Sequence, residues 1–152
     1  MKGRMVVHAA VAALAVAIML SSPAAAQNSR TAWERQVRYQ LQQASTALNL
    51  GYELQPSHNV FIDALNNNTY EDVRYDLRAG DSYLFLGVCD NDCSGLQLRL
   101  YDNNGNLIDS DTTRGGYPVL TAQVYRTGTF YLRVTMRGCY ASPCWAGVEA
   151  YH

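Results

Sequence analysis

The stretch Tyr83–Asp102, YLFLGVCDNDCSGLQLRLYD, contains two alternating apolar runs joined by a turn that begins and ends with cysteine. The first run is apolar on both faces, a pattern typical of a central strand. In the second run, polar residues alternate with Leu96, Leu98 and Leu100, as in a strand with one face in a hydrophobic core. The stretch therefore predicts two strands of an all-β domain with a tight turn between them.

Short segments of the same kind continue on both sides of this stretch. Polar turns separate them, and the clearest is Asp102–Gly105, because asparagine and glycine tolerate positive φ angles. About eight short strands with turns between them predict a β-sandwich or a barrel. The other apolar rows are Val60, Ile62 and Ala64; Val73, Tyr75 and Leu77; Leu107 and Ile108; Leu120, Ala122 and Val124; Phe130, Leu132, Val134 and Met136; and 145–151.

Residues 27–51 predict one N-terminal helix packed on the domain. Apolar residues recur there at intervals of three or four, the spacing of a single helix face, and Gly51 has the position of a C-terminal cap. We expect the helix to bury the first three residues of this row against the sandwich. Docking on a partner is the alternative. The row consists of Trp33, Val37, Leu41, Ala44 and Leu48.

Residues 1–26 have the features of a secretory signal peptide. Lys2 and Arg4 precede an uncharged apolar run over residues 6–20, and three alanines precede the expected cleavage between Ala26 and Gln27. The run is short for a membrane span, although an uncleaved anchor is the alternative. The sequence thus predicts a periplasmic or secreted protein without a membrane span after cleavage, with its β-sandwich in residues 52–152.

The charge of the chain argues against two classes of partner. Removal of residues 1–26 leaves ten arginines, no lysine and thirteen acidic residues, a net charge of −3. A mildly acidic chain without a basic cluster argues against nucleic acid and against an anionic membrane surface. The absence of lysine also excludes Schiff-base chemistry and a lysine general base.

Four cysteines in an exported chain favour disulfides, and they allow three pairings. We favour Cys89–Cys93 and Cys139–Cys144, because each pair is close in sequence and brackets a turn. Such small loops stabilise the fold by about 2 kcal/mol each. Pairings that cross-link the two loops, and a four-cysteine zinc site, are the alternatives. The second cysteine loop is expected to close the opposite end of the domain from the first.

Several segments carry a resemblance to a known family. They are YLFLGV at 83–88, LQLRLYDNNGN at 96–106, a polar loop with Asp111, and GTFYLRV at 128–134. On these segments the chain resembles the bacterial pre-peptidase C-terminal (PPC) domain superfamily, small jelly-roll β-sandwiches found on or beside secreted enzymes. With its helix and cysteine loops, it is similar to a group of uncharacterised exported bacterial proteins. The resemblance implies a jelly-roll sandwich with an accessory role.

Calcium is the metal that the turn carboxylates would suit, because it binds hard oxygen ligands. Candidate ligands are Asp90, Asp92 and Asp111; turn formation is their alternative role, and no other cofactor is expected. The resemblance implies that any site is weak, at best about 10⁻⁴–10⁻³ M, because apparent relatives carry acids at positions that are neutral here. Those positions are Gly95, Gln97, Gly115 and Gly116.

The sequence predicts a binding module rather than an enzyme. Outside residues 1–26 the only histidines are His58 and His152, and no Gly-x-Ser-x-Gly segment occurs; a small secreted hydrolase using loop carboxylates is the alternative. Eleven tyrosines are best explained by simple coverage of the sheet, and a face that stacks on a ligand is the alternative. We expect a secreted protein or a cell-surface glycan as partner. The candidate stacking residues are Tyr101, Tyr131, Tyr140 and Trp145.

Overall fold

One helix and eight strands make up the part of the chain that the structure, a computed structural model, describes: residues 23–49 and 58–152. Residues 1–22, most of the predicted signal peptide, and Gly51, the predicted helix cap, lie outside the described residues. The elements are α1 Pro23–Ala47, β1 Phe61–Leu65, β2 Tyr70–Leu77, β3 Ser82–Cys89, β4 Cys93–Asp102, β5 Leu107–Asp111, β6 Val119–Gln123, β7 Gly128–Cys139 and β8 Cys144–Tyr151.

The strands form two four-stranded antiparallel sheets. Strands β1, β8, β3 and β6 lie in that order in one sheet, and β2, β7, β4 and β5 lie in that order in the other. Every connection except β4–β5 passes from one sheet to the other. Two interleaved four-stranded sheets in this order are a jelly roll, so the predicted all-β jelly-roll sandwich with one helix is confirmed.

The core lies between the two sheets and follows the predicted alternation. On β4, Leu96, Leu98 and Leu100 are fully buried, and the residues between them are partly exposed. The opposing sheet contributes Phe85 and Val148, which are also fully buried. Strand β3 is buried almost throughout, as its apolar sequence predicts, because its second face is covered as well.

The helix supplies that cover. Val37 and Leu41 are fully buried in a second apolar cluster with residues of β3 and β8. The sheet containing β1, β8, β3 and β6 is therefore called the covered sheet, and its partner the open sheet. Within residues 23–49 and 58–152, no helix is long and apolar enough to cross a membrane.

The helix differs from the prediction at both ends. It begins at Pro23, before the expected cleavage position, and ends at Ala47. Asn49 adopts the left-handed φ of 45° after the last turn, because asparagine can take the role that glycine usually has there. Trp33 is only partly buried, and Leu48 is 47% exposed. The burial prediction is thus confirmed for Val37 and Leu41.

Gly147 on β8 allows the helix to approach. A Cβ there would collide with Val37 Cγ1 and would lie 3.1 Å from Leu41 Cδ1. We expect Gly147→Ala to lower the free energy of unfolding by about 2 kcal/mol, because overpacking displaces the helix. Urea unfolding measures this. Gly128→Ala is the control, since a Cβ at Gly128 would meet no atom within 4 Å; equal stability of the two variants would contradict the helix contact.

Both predicted disulfides are present, with Cα–Cα distances of 5.8 Å in each. Each disulfide spans a connection between the two sheets, from β3 to β4 and from β7 to β8. The expectation that they lie at opposite ends was wrong. Cys93 and Cys139 are paired across β4 and β7, because antiparallel pairing brings the start of one strand to the end of the other. This end is called the cysteine end.

Candidate ligand-binding face

The outer surface of the open sheet is the candidate site. Its strands turn their apolar residues towards the core, so the alternate polar and aromatic residues face outwards. The described helix packs on β3 and β8 of the covered sheet and leaves this surface accessible. The sheet therefore presents a broad patterned face rather than a cavity.

The strand registers arrange the outward residues in three rows. This set is called the aromatic–arginine face. Its rows are Arg74, Tyr131, Tyr101 and Leu107; Asp72, Arg133, Arg99 and Ser110; and Tyr70, Thr135 and Gln97. Directly opposite residues have Cβ atoms about 5 Å apart, so each row is a line of side chains in contact range across the sheet.

Arg133 organises the centre of this face. Its Nε and Nη2 donate to the two carboxylate oxygens of Asp72 at 2.8 and 2.7 Å. Its Cζ lies 3.9 Å from the ring centroid of Tyr70 and 5.2 Å from that of Tyr101, within cation–π range. The hydrogen bonds to Asp72 are the main reason that the pKa of Arg133 is raised above its ordinary value. Arg133 is thus held in place and keeps both rings in position.

A second ion pair lies at the edge of the face. Arg74 Nη2 is 3.1 Å from both carboxylate oxygens of Asp76, and Thr129 Oγ1 donates to Asp76 Oδ1 at 2.7 Å. The hydrogen bond from Thr129, followed by that from Arg74, lowers the pKa of Asp76. The carboxylate therefore stays ionised at neutral pH and remains engaged with its own neighbours.

The structure brings together two of the four predicted stacking residues. Tyr101 and Tyr131 are directly paired on β4 and β7. Tyr140 is 83% exposed in the β7–β8 turn, and Trp145 packs on the helix side of the covered sheet. Those two lie away from the aromatic–arginine face, because Tyr140 is in the turn after β7 and Trp145 is on the covered sheet, on the side that packs against the helix.

Tyr70 and Arg133 were missed by the sequence reasoning. A signal existed, since Tyr70 begins the alternating segment YEDVRYDL and Arg133 lies in the outward row of β7. Periodicity predicts that each faces outwards, but their contact depends on the register between two strands about 60 residues apart.

Two of the predicted calcium ligands hold loops together. Asp90 is only 4% exposed, and its Oδ2 and Oδ1 accept the backbone N–H groups of Trp145 at 2.7 Å and Asp92 at 3.2 Å. Burial raises the pKa of Asp90. Asp111 accepts the backbone N–H groups of Thr113 at 3.0 Å and Val119 at 2.8 Å. Burial opposes ionisation of Asp111, but these bonds and the Thr113 hydroxyl together lower its pKa.

Calcium binding remains a prediction. Within the described parts of the chain, no three His, Cys, Asp or Glu side chains are grouped so that they could hold a metal ion. We therefore expect the melting temperature to rise only at millimolar calcium, since a ligand that binds the native state stabilises it according to its affinity. Thermal melts with calcium and with chelator measure this. A large shift at micromolar calcium would contradict the expectation.

A cleft of about 470 Å³ lies at the opposite end from the disulfides, between the β4–β5 and β6–β7 connections. Among the described residues that line it, Asp102 is the one carboxylic acid. Its oxygens accept hydrogen bonds from Asn104 and Asn106 at 2.8–2.9 Å, and the side chain of Asn106 is the main cause of its lowered pKa. Acid-catalysed glycoside cleavage uses two facing carboxyl groups, whereas the described residues that line this cleft include one carboxylic acid.

Comparison with known proteins identifies no relative from which the role of this face could be inferred. No protein-family model matches the chain, and no curated protein matches it significantly. The functional argument therefore depends on the residues of the face themselves.

Proposed function

We propose that this protein is an exported, non-catalytic module that binds glycan through the aromatic–arginine face. The observation that carries the proposal is the stack of Tyr70, Arg133 and Tyr101 beside the exposed ring of Tyr131. Aromatic rings with an apolar body and a polar tip suit sugars, which present C–H groups on one side and hydroxyls on the other. A jelly roll by itself does not imply a function, so this side-chain pattern is the support.

The fixed side chains and the polar composition of the face favour a sugar over a protein as its ligand. Asp72 and Arg133 are fixed by a bidentate ion pair, so little side-chain entropy is lost on binding. Leu107 is the one aliphatic residue in the three rows, whereas the cores of protein interfaces are apolar. The exposed hydroxyl of Ser110 and the guanidinium of Arg99 suit a polar ligand.

Export supports a ligand outside the cytoplasm. Two disulfides indicate that the chain folds in an oxidising compartment. The predicted signal peptide would lead to the periplasm or the exterior. The resemblance to PPC-type domains, itself a prediction, implies an accessory role beside a secreted enzyme, and glycan binding would suit that role.

The alternative of a small hydrolase is less well supported. The carboxylate oxygens of Asp90, Asp102 and Asp111 accept the backbone N–H groups of Trp145, Asn106 and Val119, respectively. A general acid needs a raised pKa and access to substrate. Asp90 has the raised pKa but is buried.

Affinity electrophoresis through gels containing neutral or acidic polysaccharides tests the proposal. We expect retardation of the wild-type protein on at least one gel and a loss of about tenfold or more in affinity for Tyr131→Ala, as for an aromatic hot spot. Tyr125→Ala is the matched control, because this exposed tyrosine lies in the cleft at the far end. Absence of retardation on every gel, or equal losses in the two variants, would overturn the proposal.

A further inference from the structure

The charges of the aromatic–arginine face are unequal. Asp72, the carboxylate in its rows, is paired with Arg133, and Asp76, which lies beside the face, is paired with Arg74. Arg99 in the middle row has no carboxylate within salt-bridge distance among the described residues. The centre of the face therefore carries an uncompensated positive charge, although the chain as a whole is acidic.

The position of Arg99 makes this charge unfavourable without a ligand. Arg99 lies directly opposite Arg133 across β4 and β7, and like charges at such positions destabilise a sheet. Asp72 compensates the charge of Arg133 and so weakens this repulsion, but Arg99 has no carboxylate partner of its own among the described residues. An anion bound at Arg99 would remove this repulsion.

The neighbours of Arg99 would suit an anion that is part of a sugar. Ser110 lies opposite it on β5, and Tyr101 is the next outward residue on its own strand. A hydroxyl and a phenol can bind sugar hydroxyls, while a guanidinium fork matches a carboxylate through two parallel hydrogen bonds. Gln97, on the other side, is tied to the carbonyl of Thr112 at 3.0 Å, which leaves Arg99 as the cation available at the centre.

We infer that the glycan bound by this face carries carboxylate groups, and that Arg99 binds one of them; this inference rests on the proposed glycan-binding function. The ligand class is a polysaccharide of uronic acid units. The carboxylate sits on Arg99, and the sugar ring extends towards Tyr101 and Tyr131. Binding weakens as salt concentration rises, because the charge at the surface is screened.

Polygalacturonate and its fully methyl-esterified form are the probes, because they share one backbone and differ in the carboxylate charge. We expect the full-length protein to bind the free acid at least about tenfold more tightly, as for loss of a charge-assisted hydrogen bond. Arg99→Gln is expected to bind the two forms within about twofold of each other. Arg78→Gln is the control, since Arg78 is exposed in the β2–β3 turn away from the face, and it should retain the full preference.

The outcomes separate this inference from the proposed function. Equal binding of acid and ester that still depends on Tyr131 would overturn the carboxylate assignment and leave glycan binding intact. Equal losses in Arg78→Gln and Arg99→Gln would show non-specific attraction and would also overturn it. Tighter binding of a sulfated polysaccharide than of polygalacturonate would overturn the choice of carboxylate. Failure to bind any polysaccharide would overturn the proposed function itself.

Discussion

Replacement of Asp90 with alanine is expected to lower the free energy of unfolding by about 3 kcal/mol. The carboxylate accepts the backbone N–H groups of Trp145 and Asp92, and both donors would be left without this partner at a site where Asp90 is 4% exposed. The Asp90 N–H also donates to the Trp145 carbonyl at 2.9 Å, so the side chain completes a two-way clamp between the first cysteine turn and β8. Chemical denaturation of the oxidised protein measures the loss.

The control for this change is Asp92→Ala in the same turn. The Asp92 side chain accepts no hydrogen bond from the described residues, and surface substitutions of this kind change stability by about 0.5 kcal/mol or less. Equal losses for the two aspartates would contradict the clamp, since they would indicate a general charge effect in the turn.

The pH dependence of the unfolding free energy of wild type and Asp90→Ala gives an independent check. Burial raises the pKa of Asp90 in the folded state, so its contribution to stability is greatest below the unfolded pKa of about 4. That contribution falls as the pH rises through the folded pKa. The difference in unfolding free energy between wild type and Asp90→Ala should therefore be larger at pH 3.5 than at pH 7. A difference that grows with pH would contradict the assignment.

Leu98→Ala is expected to lower the free energy of unfolding by about 3 kcal/mol or more. Leu98 is fully buried on β4, where it packs between the two sheets. A Cβ built on Gly87 would lie 3.4 Å from Leu98 Cδ1, so the leucine crosses the gap and reaches the opposite sheet. Alanine would leave a cavity between the two packed sheets, and neighbouring core side chains hold the sheets too far apart to fill it.

Leu107→Ala provides the matched comparison on the adjacent strand. Leu107 is 53% exposed on β5, so the same deletion removes little buried surface and should cost less than about 1 kcal/mol. Guanidinium unfolding of both variants with disulfides intact is the measurement. Similar stabilities would show that β4 does not supply the core as described.

The candidate face was only partly predictable. Alternation on β4 and β7 predicted that Tyr101 and Tyr131 face the same way, and both are on the aromatic–arginine face. Tyr140 and Trp145 were grouped with them because of their residue type. Residue type does not predict which way a side chain points when it lies in a turn or on the other sheet. No sequence pattern marked Arg99 as a binding residue, because its lack of a carboxylate partner depends on where the aspartates of another strand lie.

The sequence by itself determined the features that depend on neighbouring residues. Alternation with a period of two determined the strands and their buried rows, the three- or four-residue row determined the helix and its contact through Val37 and Leu41, and short spacing determined both disulfides. Only the tertiary structure decided that the disulfides share one end, that the helix covers one sheet, and that Arg133 joins Asp72, Tyr70 and Tyr101. The physical reason is that local periodicity sets which way a side chain points. Its partners are set by strand order and register, and these depend on pairing between distant segments of the chain.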